Sequence, residues 1–454
     1  MDDKEVRRIL ADLDECQRAA ELERLSLRVR KRPLVLFFGR AGFSDNSKYA
    51  YLHALSAPRP YDVMWCTFDD ALHDQLTAFG LPCLHLARDM RTTLDTLLHA
   101  AVAVFCVNPN ESLRASYGLA ACLAGARQLQ LWHGISVKHL MLELMQHLDL
   151  RTQSLRRGFD LGSRCDAVLS TASAFDDFWH RTFNAGTLLR GGFPRNEVIL
   201  RDPQPLEMLG AEVDEATAAA LLAPDRRKLL LVPTWQRIHS TWLTSPEALQ
   251  RIVAFGRKHG ITVFVKTHPM TLPASPGTYG ERGNGVFLLD TRLDIYPWMR
   301  AFDLLVTDYS SILFDFLLTG RPVLTLDLEP GEHQSFEPDW SLLPPMDEYR
   351  HRFRPDDLER TIAYALAKDG LAEARAAAAA RLFETAPLNA CAATQAFIDR
   401  WMAEPQTTGY ELVDPLDTAA APANYSVPRC APAQADPGAM GLVAAGAVAG
   451  AAFQ

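Results

Sequence analysis

No apolar run in this sequence is long enough to be read as a membrane span. The nearest candidate is the extreme C-terminus, GAMGLVAAGAVAGAAFQ. It falls short of the roughly 20 residues a helix needs to cross hydrocarbon, and it is built from weakly hydrophobic Ala and Gly. It reads as part of a disordered tail. Nor is there an excess of positive charge: 46 Lys and Arg against 55 Asp and Glu give a formal net charge of −9. No general basic field points to nucleic acid. The eight cysteines (Cys16, Cys66, Cys83, Cys106, Cys122, Cys165, Cys391 and Cys430) show no paired spacing and no Cys/His cluster of the zinc type. The start, MDDKEVRRILADLDECQRAAELERL, is charged throughout, so no signal peptide is expected. Scattered thiols behind such a start read as reduced cysteines of a soluble cytoplasmic protein.

What the chain does have is alternation. Residues 1–32 pattern as a helix, with Leu spaced by three or four among charges, ending in Arg28, Arg30, Lys31 and Arg32 before Pro33. Over residues 33–200 short apolar runs follow one another: Leu34–Phe38, Val63–Phe68, Val102–Val107, Leu129–Trp132 and Ala167–Thr171. Between them, stretches such as Ala71–Phe79 and Ser112–Ala124 fit helices. Strands alternating with helices imply a parallel sheet covered on both faces. Residues 201–227, rich in Pro, acid and Ala, read as a linker with a short helix. The alternation then restarts over 228–403 with Leu229–Pro233, Thr262–Lys266, Val286–Leu289, Leu304–Thr307 and Val323–Asp327, and closes in Ala-rich helices. Residues 404–454 turn to Pro, Ala and Gly and read as disordered. The expected fold class is α/β and GT-B-like: two facing Rossmann-type domains with parallel sheets, C-terminal helices and a disordered tail. In such sheets ligands sit beyond the carboxyl ends of the strands, which places the site in the cleft between the two halves.

Three strand ends of the second half carry chemistry. The segment LLVTDYSSILFDFLLTGRPVLTLD places Asp308, Ser310 and Ser311 in the turn between a strand and a helix expected over Ile312–Thr319, with Gly320 to end it. Free backbone N–H groups and two hydroxyls there suit an anion; alternatively Asp308 or Ser310 caps the helix. A second strand end carries Lys266-Thr267-His268-Pro269, and a third carries Thr234 with Arg237 three residues on. Cations, hydroxyls and a histidine on one sheet edge are what a diphosphate needs. From the first half, Trp132-His133-Gly134 follows a strand, with Ser136, Lys138 and His139 close behind. A histidine there has the pKa range of a general base.

In this combination the chain resembles the CDP-glycerol glycerophosphotransferase family, the teichoic-acid and capsule polymerases and primases of bacteria. The resemblance rests on FSDNSKYAYL (Phe43–Leu52), LQLWHGISVKHL (Leu129–Leu140), GGFPRNEVIL (Gly191–Leu200), VPTW (Val232–Trp235), VKTHP (Val265–Pro269) and VTDYSSILFDFLLTGRPV (Val306–Val323). It implies transfer of a polyol phosphate from CDP-glycerol or CDP-ribitol to a hydroxyl, with release of CMP. The acceptor is a polyol phosphate or a glycan, free or lipid-linked. His133 and His268 match the family's two catalytic histidines. Lys266, Thr234, Arg237, Asp308, Ser310 and Ser311 fall on the donor and phosphate side. Gly134, Lys138, Asn46 and Arg195 fall on the acceptor side. No carboxylate cluster suggests a metal, and no cofactor is expected.

The chain departs from the family at Gln236, which separates Arg237 from the PTW element, at Pro338–Tyr349, and at Glu384–Gln395. These departures bear on the polyol and the acceptor more than on the reaction. Two other readings stay open: a GT-B sugar transferase, and a non-catalytic relative that binds nucleotide or polymer. The stretch with Arg151, Arg156, Arg157 and Arg164 suits a polyanionic acceptor, peripheral contact with anionic lipid on the inner membrane face, or a plain solvated surface.

Overall fold

The computed structural model describes residues 2–40, 42–146, 153–163, 165–234, 242–267, 279–283, 285–327, 338–385 and 387–404. The tail from residue 405 onward lies outside the described residues, as do Arg151, Arg164, Arg237 and His268.

The first sheet has the strands β1 (Arg32–Phe38), β2 (Asp62–Thr67), β3 (Cys83–His85), β4 (Ala100–Phe105), β5 (Arg127–Gln130), β6 (Ala167–Ser170) and β7 (Thr187–Arg190). Their order is β3-β2-β1-β4-β5-β6-β7, and every pairing is parallel. The second sheet has β8 (Lys228–Val232), β9 (Thr262–Lys266), β10 (Gly280–Glu281), β11 (Val286–Leu289), β12 (Leu304–Thr307), β13 (Val323–Leu326) and β14 (His351–Phe353). Its order is β10-β11-β9-β8-β12-β13-β14, parallel except for the β10–β11 pair. β6, β8 and β12 are buried along their whole length, as expected of Val- and Leu-rich strands with helices on both faces.

Some elements differ from the sequence expectation. The first helix is Asp3–Arg28, and Val29 is already extended, so the basic run lies largely beyond the helix and Pro33 lies inside β1. The expected helix over Ser112–Ala124 is two short pieces, Pro109–Ser112 and Tyr117–Ala121. Arg114 and Ala115 between them hold φ of 50° and 58°, which no right-handed helix can pass through. The helix after β12 is α only over Ile312–Phe316 and tightens to a 3₁₀ turn over Leu317–Thr319, ended by Gly320 at φ 69°. β5 stops at Gln130, so Trp132 belongs to the turn and not to the strand.

The halves share one apolar cluster, which contains Phe193 of the first half as well as Leu230, Phe264 and Leu305 of the second sheet. The last helix, Ala390–Ala403, returns to the first half. There Cys391 N donates to Glu197 Oε1 at 2.7 Å and Asp399 pairs with Arg59 at 3.1 Å. The segment between the sheets is packed, not loose: Lys48 Nζ donates to Glu207 O at 2.6 Å and Trp298 Nε1 to Ala211 O at 2.8 Å. No helix among the described residues is long and apolar enough to cross a membrane.

Candidate functional site

In each sheet the strand order reverses around its first strand. The chain steps outward on one side from β1 to β2 and β3, and on the other from β4 to β7; β8 stands likewise between β9 and β12. Such switch points open crevices at the carboxyl ends of the strands. The candidate residues that the structure describes gather where these two crevices meet.

The turn after β5 is built by its neighbours. Gln130 folds back, its Oε1 accepting the Trp132 N–H at 2.9 Å and its Nε2 donating to Val107 O at 3.0 Å. Trp132 is held at φ 52°, buried against Phe183 with ring centroids 5.1 Å apart. Its carbonyl accepts from Asn46 Nδ2 at 2.7 Å. His133 is half-buried, lies against Trp132 with ring centroids 4.3 Å apart and planes tilted by 33°, and places Nδ1 3.2 Å from Cys106 O. A carbonyl oxygen only accepts, so Nδ1 carries the proton and, in the neutral ring, Nε2 holds the basic lone pair.

Gly134 follows at φ 130°. A Cβ there would stand 2.9 Å from Arg195 Nη2 and 3.0 Å from Ser311 Cβ. Only glycine lets these groups approach so closely. The turn bearing His133 therefore abuts the turn bearing Ser310 and Ser311 across the interface of the two halves.

On the second half, Asp308 is fully buried and accepts from Thr234 N at 3.0 Å, from Thr234 Oγ1 in a short hydrogen bond, and from Tyr309 N at 2.7 Å. Asp308 and Thr234 thus tie the loops after β8 and β12 together below the cleft. Ser311 is the cap residue of the short helix and makes no side-chain capping bond. Both serines are half-buried. Lys138 extends from the first half with its ammonium 4.7 Å from the Tyr309 ring centroid. Burial lowers its pKa to about 8, against the opposing pull of Asp308. Lys266, at the end of β9, donates to Thr291 O at 2.8 Å. Burial lowers it to about 8 as well; Asp294 and Asp290 pull the other way and Arg40 adds to the lowering.

Arg195 and Asn46 lie beneath this surface and not on it. The Arg195 side chain is 3% exposed, with Nη1 2.7 Å from Asp45 Oδ1 and Nη2 2.6 Å from Asp315 Oδ2. Its backbone N–H donates to Asn46 Oδ1 at 3.2 Å.

Sequence reasoning passed over Arg40 and Asp315. Arg40 stands just past the carboxyl end of β1, pairs with Glu111 at 3.1 Å, and is near enough to act on the charge of Lys266. The argument from strand ends that singled out His133 applies equally to Arg40. Asp315 is an acid inside the apolar run ILFDFLL, a pattern that signals a paired buried charge. Among the described residues no group of three or more His, Cys, Asp or Glu could hold a metal.

The model of the family described as CDP-glycerol:poly(glycerophosphate) glycerophosphotransferase matches residues 21–334, more than half of the chain. The chain belongs to this family. A teichoic acid poly(glycerol phosphate) polymerase of Bacillus spizizenii (strain ATCC 23059 / NRRL B-14472 / W23) is 21% identical over 323 residues, covering 66% of this chain and 75% of that protein. The protein of the same name from Bacillus subtilis (strain 168) is 24% identical over 204 residues, 43% of this chain and 26% of that protein. The match thus spans about a quarter of one of these curated relatives and three quarters of the other. The solved structure of the wall teichoic acid polymerase TagF superposes with a TM-score of 0.61 at 17% identity, covering 88% of this chain and 98% of that one. At that identity the likeness is one of fold. A variant of the same polymerase was solved after soaking with CDPG.

Proposed function

We propose that this member of the glycerophosphotransferase family transfers glycerol phosphate from CDP-glycerol to an acceptor hydroxyl, making a phosphodiester of the teichoic-acid type and releasing CMP. The observation that carries the reading is the meeting of the His133 turn with the Ser310–Ser311 turn across Gly134. A base from one half thereby stands beside hydroxyl donors from the other.

The chemistry follows from these groups. The acceptor oxygen attacks the phosphorus that bears glycerol, and its proton passes to His133 Nε2. The bond from that phosphorus to the bridging oxygen breaks, and CMP leaves with the bonding pair. Charge gathering on the phosphoryl oxygens faces Ser310, Ser311 and the ammonium groups of Lys138 and Lys266. The matching role of His268, two residues beyond Lys266, is to donate to the phosphate or to the leaving group. With histidine and lysine supplying positive charge, the transfer is proposed to need no divalent ion.

The test incubates the protein with an acceptor, EDTA and, in separate reactions, CDP-glycerol, CDP-ribitol and nucleotide sugars, then identifies the nucleotide released. CMP from CDP-glycerol under chelation is the expected product. A nucleoside diphosphate from a sugar donor would overturn the reading in favour of a sugar transferase.

A further inference from the structure

We infer that Arg195 is a positioning residue that holds the His133 turn in register with the Ser310–Ser311 turn by bridging the two halves of the molecule. The inference rests on the transfer reaction proposed above and adds a residue that need not touch substrate.

The connection can be followed atom by atom. Asp315 lies in the helix that Ser311 caps. Its Oδ2 accepts from Arg195 Nη2 at 2.6 Å and from Tyr296 OH at 2.8 Å. The guanidinium lies over the Tyr296 ring, 4.4 Å from its centroid. Its other arm reaches Asp45 Oδ1 at 2.7 Å in the first half. The Arg195 backbone N–H then meets Asn46 Oδ1, and Asn46 Nδ2 meets the carbonyl of Trp132, the residue before His133. A path of hydrogen bonds, joined through the Arg195 and Asn46 side chains themselves, thus runs from the serine-bearing helix of one half to the histidine-bearing turn of the other.

Three features give Arg195 a positioning role. The side chains of Arg195 and Asp315 are 3% and 1% exposed, so substrate does not reach them. A guanidinium presents a rigid planar fork that can hold two carboxylates at once; an ammonium is a point charge that holds one well and the other poorly. Finally, the path ends at the gap occupied by Gly134, where Arg195 Nη2 and Ser311 Cβ both crowd the backbone. A shift of Arg195 changes the spacing across which the acceptor oxygen must meet phosphorus.

The test compares wild type, Arg195→Lys and Asp45→Asn in CMP release from CDP-glycerol, CMP affinity by calorimetry, and amide hydrogen exchange of residues 131–135. Arg195→Lys should lower kcat by about 10- to 100-fold, the scale of a displaced reacting group. CMP affinity should stay within about twofold, because the nucleotide side belongs to the second half and its binding does not depend on register. Exchange in the 131–135 turn should quicken. Asp45→Asn, which removes the charge from one arm and keeps only a neutral acceptor there while leaving the buried pair with Asp315, should move kcat and exchange in the same direction by less; it carries the test should the lysine variant not fold. Wild-type kcat in the folded variants, or a loss of CMP affinity as large as the loss of kcat, overturns the inference. If wild type releases no CMP, the transfer reading falls and exchange alone decides the bridge: unchanged exchange in the turn overturns it.

Discussion

His133 has its Nδ1 proton directed at the Cys106 carbonyl, which leaves Nε2 as the basic atom. Replacing it by alanine should lower turnover by about 100-fold or more with the fold intact, the usual loss for an acid–base group. Near-normal turnover in a folded His133→Ala protein would remove the residue from the mechanism. The lysines of the site add a pH dependence. Lys266 and Lys138 have pKa values lowered to about 8, in both cases chiefly by burial. An ammonium is charged below its pKa and neutral above it, so kcat/KM for the donor should fall as pH rises through about 8. A guanidinium stays charged at any such pH, so Lys266→Arg should push this alkaline limb upward if Lys266 is the titrating group. A limb that stays in place in Lys266→Arg and moves in Lys138→Arg would assign it to the other lysine; a wild-type profile flat into the ordinary lysine range would assign it to neither.

At the scale of elements, the turn between β12 and its short helix separates a structural role from a binding one. Ser311 occupies the cap position without making a side-chain cap bond. Replacing a capping serine by alanine typically costs about 1 kcal/mol. Ser310→Ala with Ser311→Ala should therefore leave the melting temperature nearly unchanged while weakening CMP and CDP-glycerol binding by calorimetry. A lower melting temperature with unchanged affinity would return the hydroxyls to a capping role.

The same elements show what the sequence made legible. Of the strands from β8 to β13, β8, β12 and β13 read clearly because they are buried along their whole length and their apolar residues run together; β11 reads from its run of Val, Phe and Leu although its burial only alternates. β3, β7 and β14 hold only one or two apolar residues each, too few to leave a signature. The break at Arg114 and Ala115 escapes because neither residue type announces a positive φ. The same holds for Trp132, whose left-handed backbone depends on Gln130 and Asn46 gripping it. At the site, His133, Lys266 and the serines could be read because strand-end position alone brings them to the cleft. For Asn46 and Arg195 the motif was visible and the direction was not. Whether a loop residue faces the cleft or supports it depends on partners such as Asp315, which lies 120 positions from Arg195.

Across the whole molecule, the two halves are joined by buried charge as well as apolar contact. Lys48 of the first half and Asp294 of the second have fully buried side chains, with Nζ and Oδ2 2.7 Å apart. The same carboxylate accepts from Tyr49 OH at 2.7 Å, and Lys48 also donates to Glu207 O. Two such charges gain little over a well-packed apolar pair, because both were taken out of water; removing one partner is another matter, since the survivor stays buried without compensation. Lys48→Met should therefore destabilise the protein by about 3–5 kcal/mol, and adding Asp294→Asn, which removes the stranded charge, should recover part of that loss. Because the pair spans the interface, the destabilisation should be felt by both halves. In calorimetry and in tryptophan fluorescence, wild type should unfold in one transition. Lys48→Met should either lower that transition as a whole or split it, as the second half loses its grip on the first. The double variant's partial recovery separates a stranded charge from simple loss of packing. If Lys48→Met melts with wild type, or the double variant is less stable than the single, then the pair does not bind the halves together and their register depends on Arg195, the returning C-terminal helix and the shared apolar cluster.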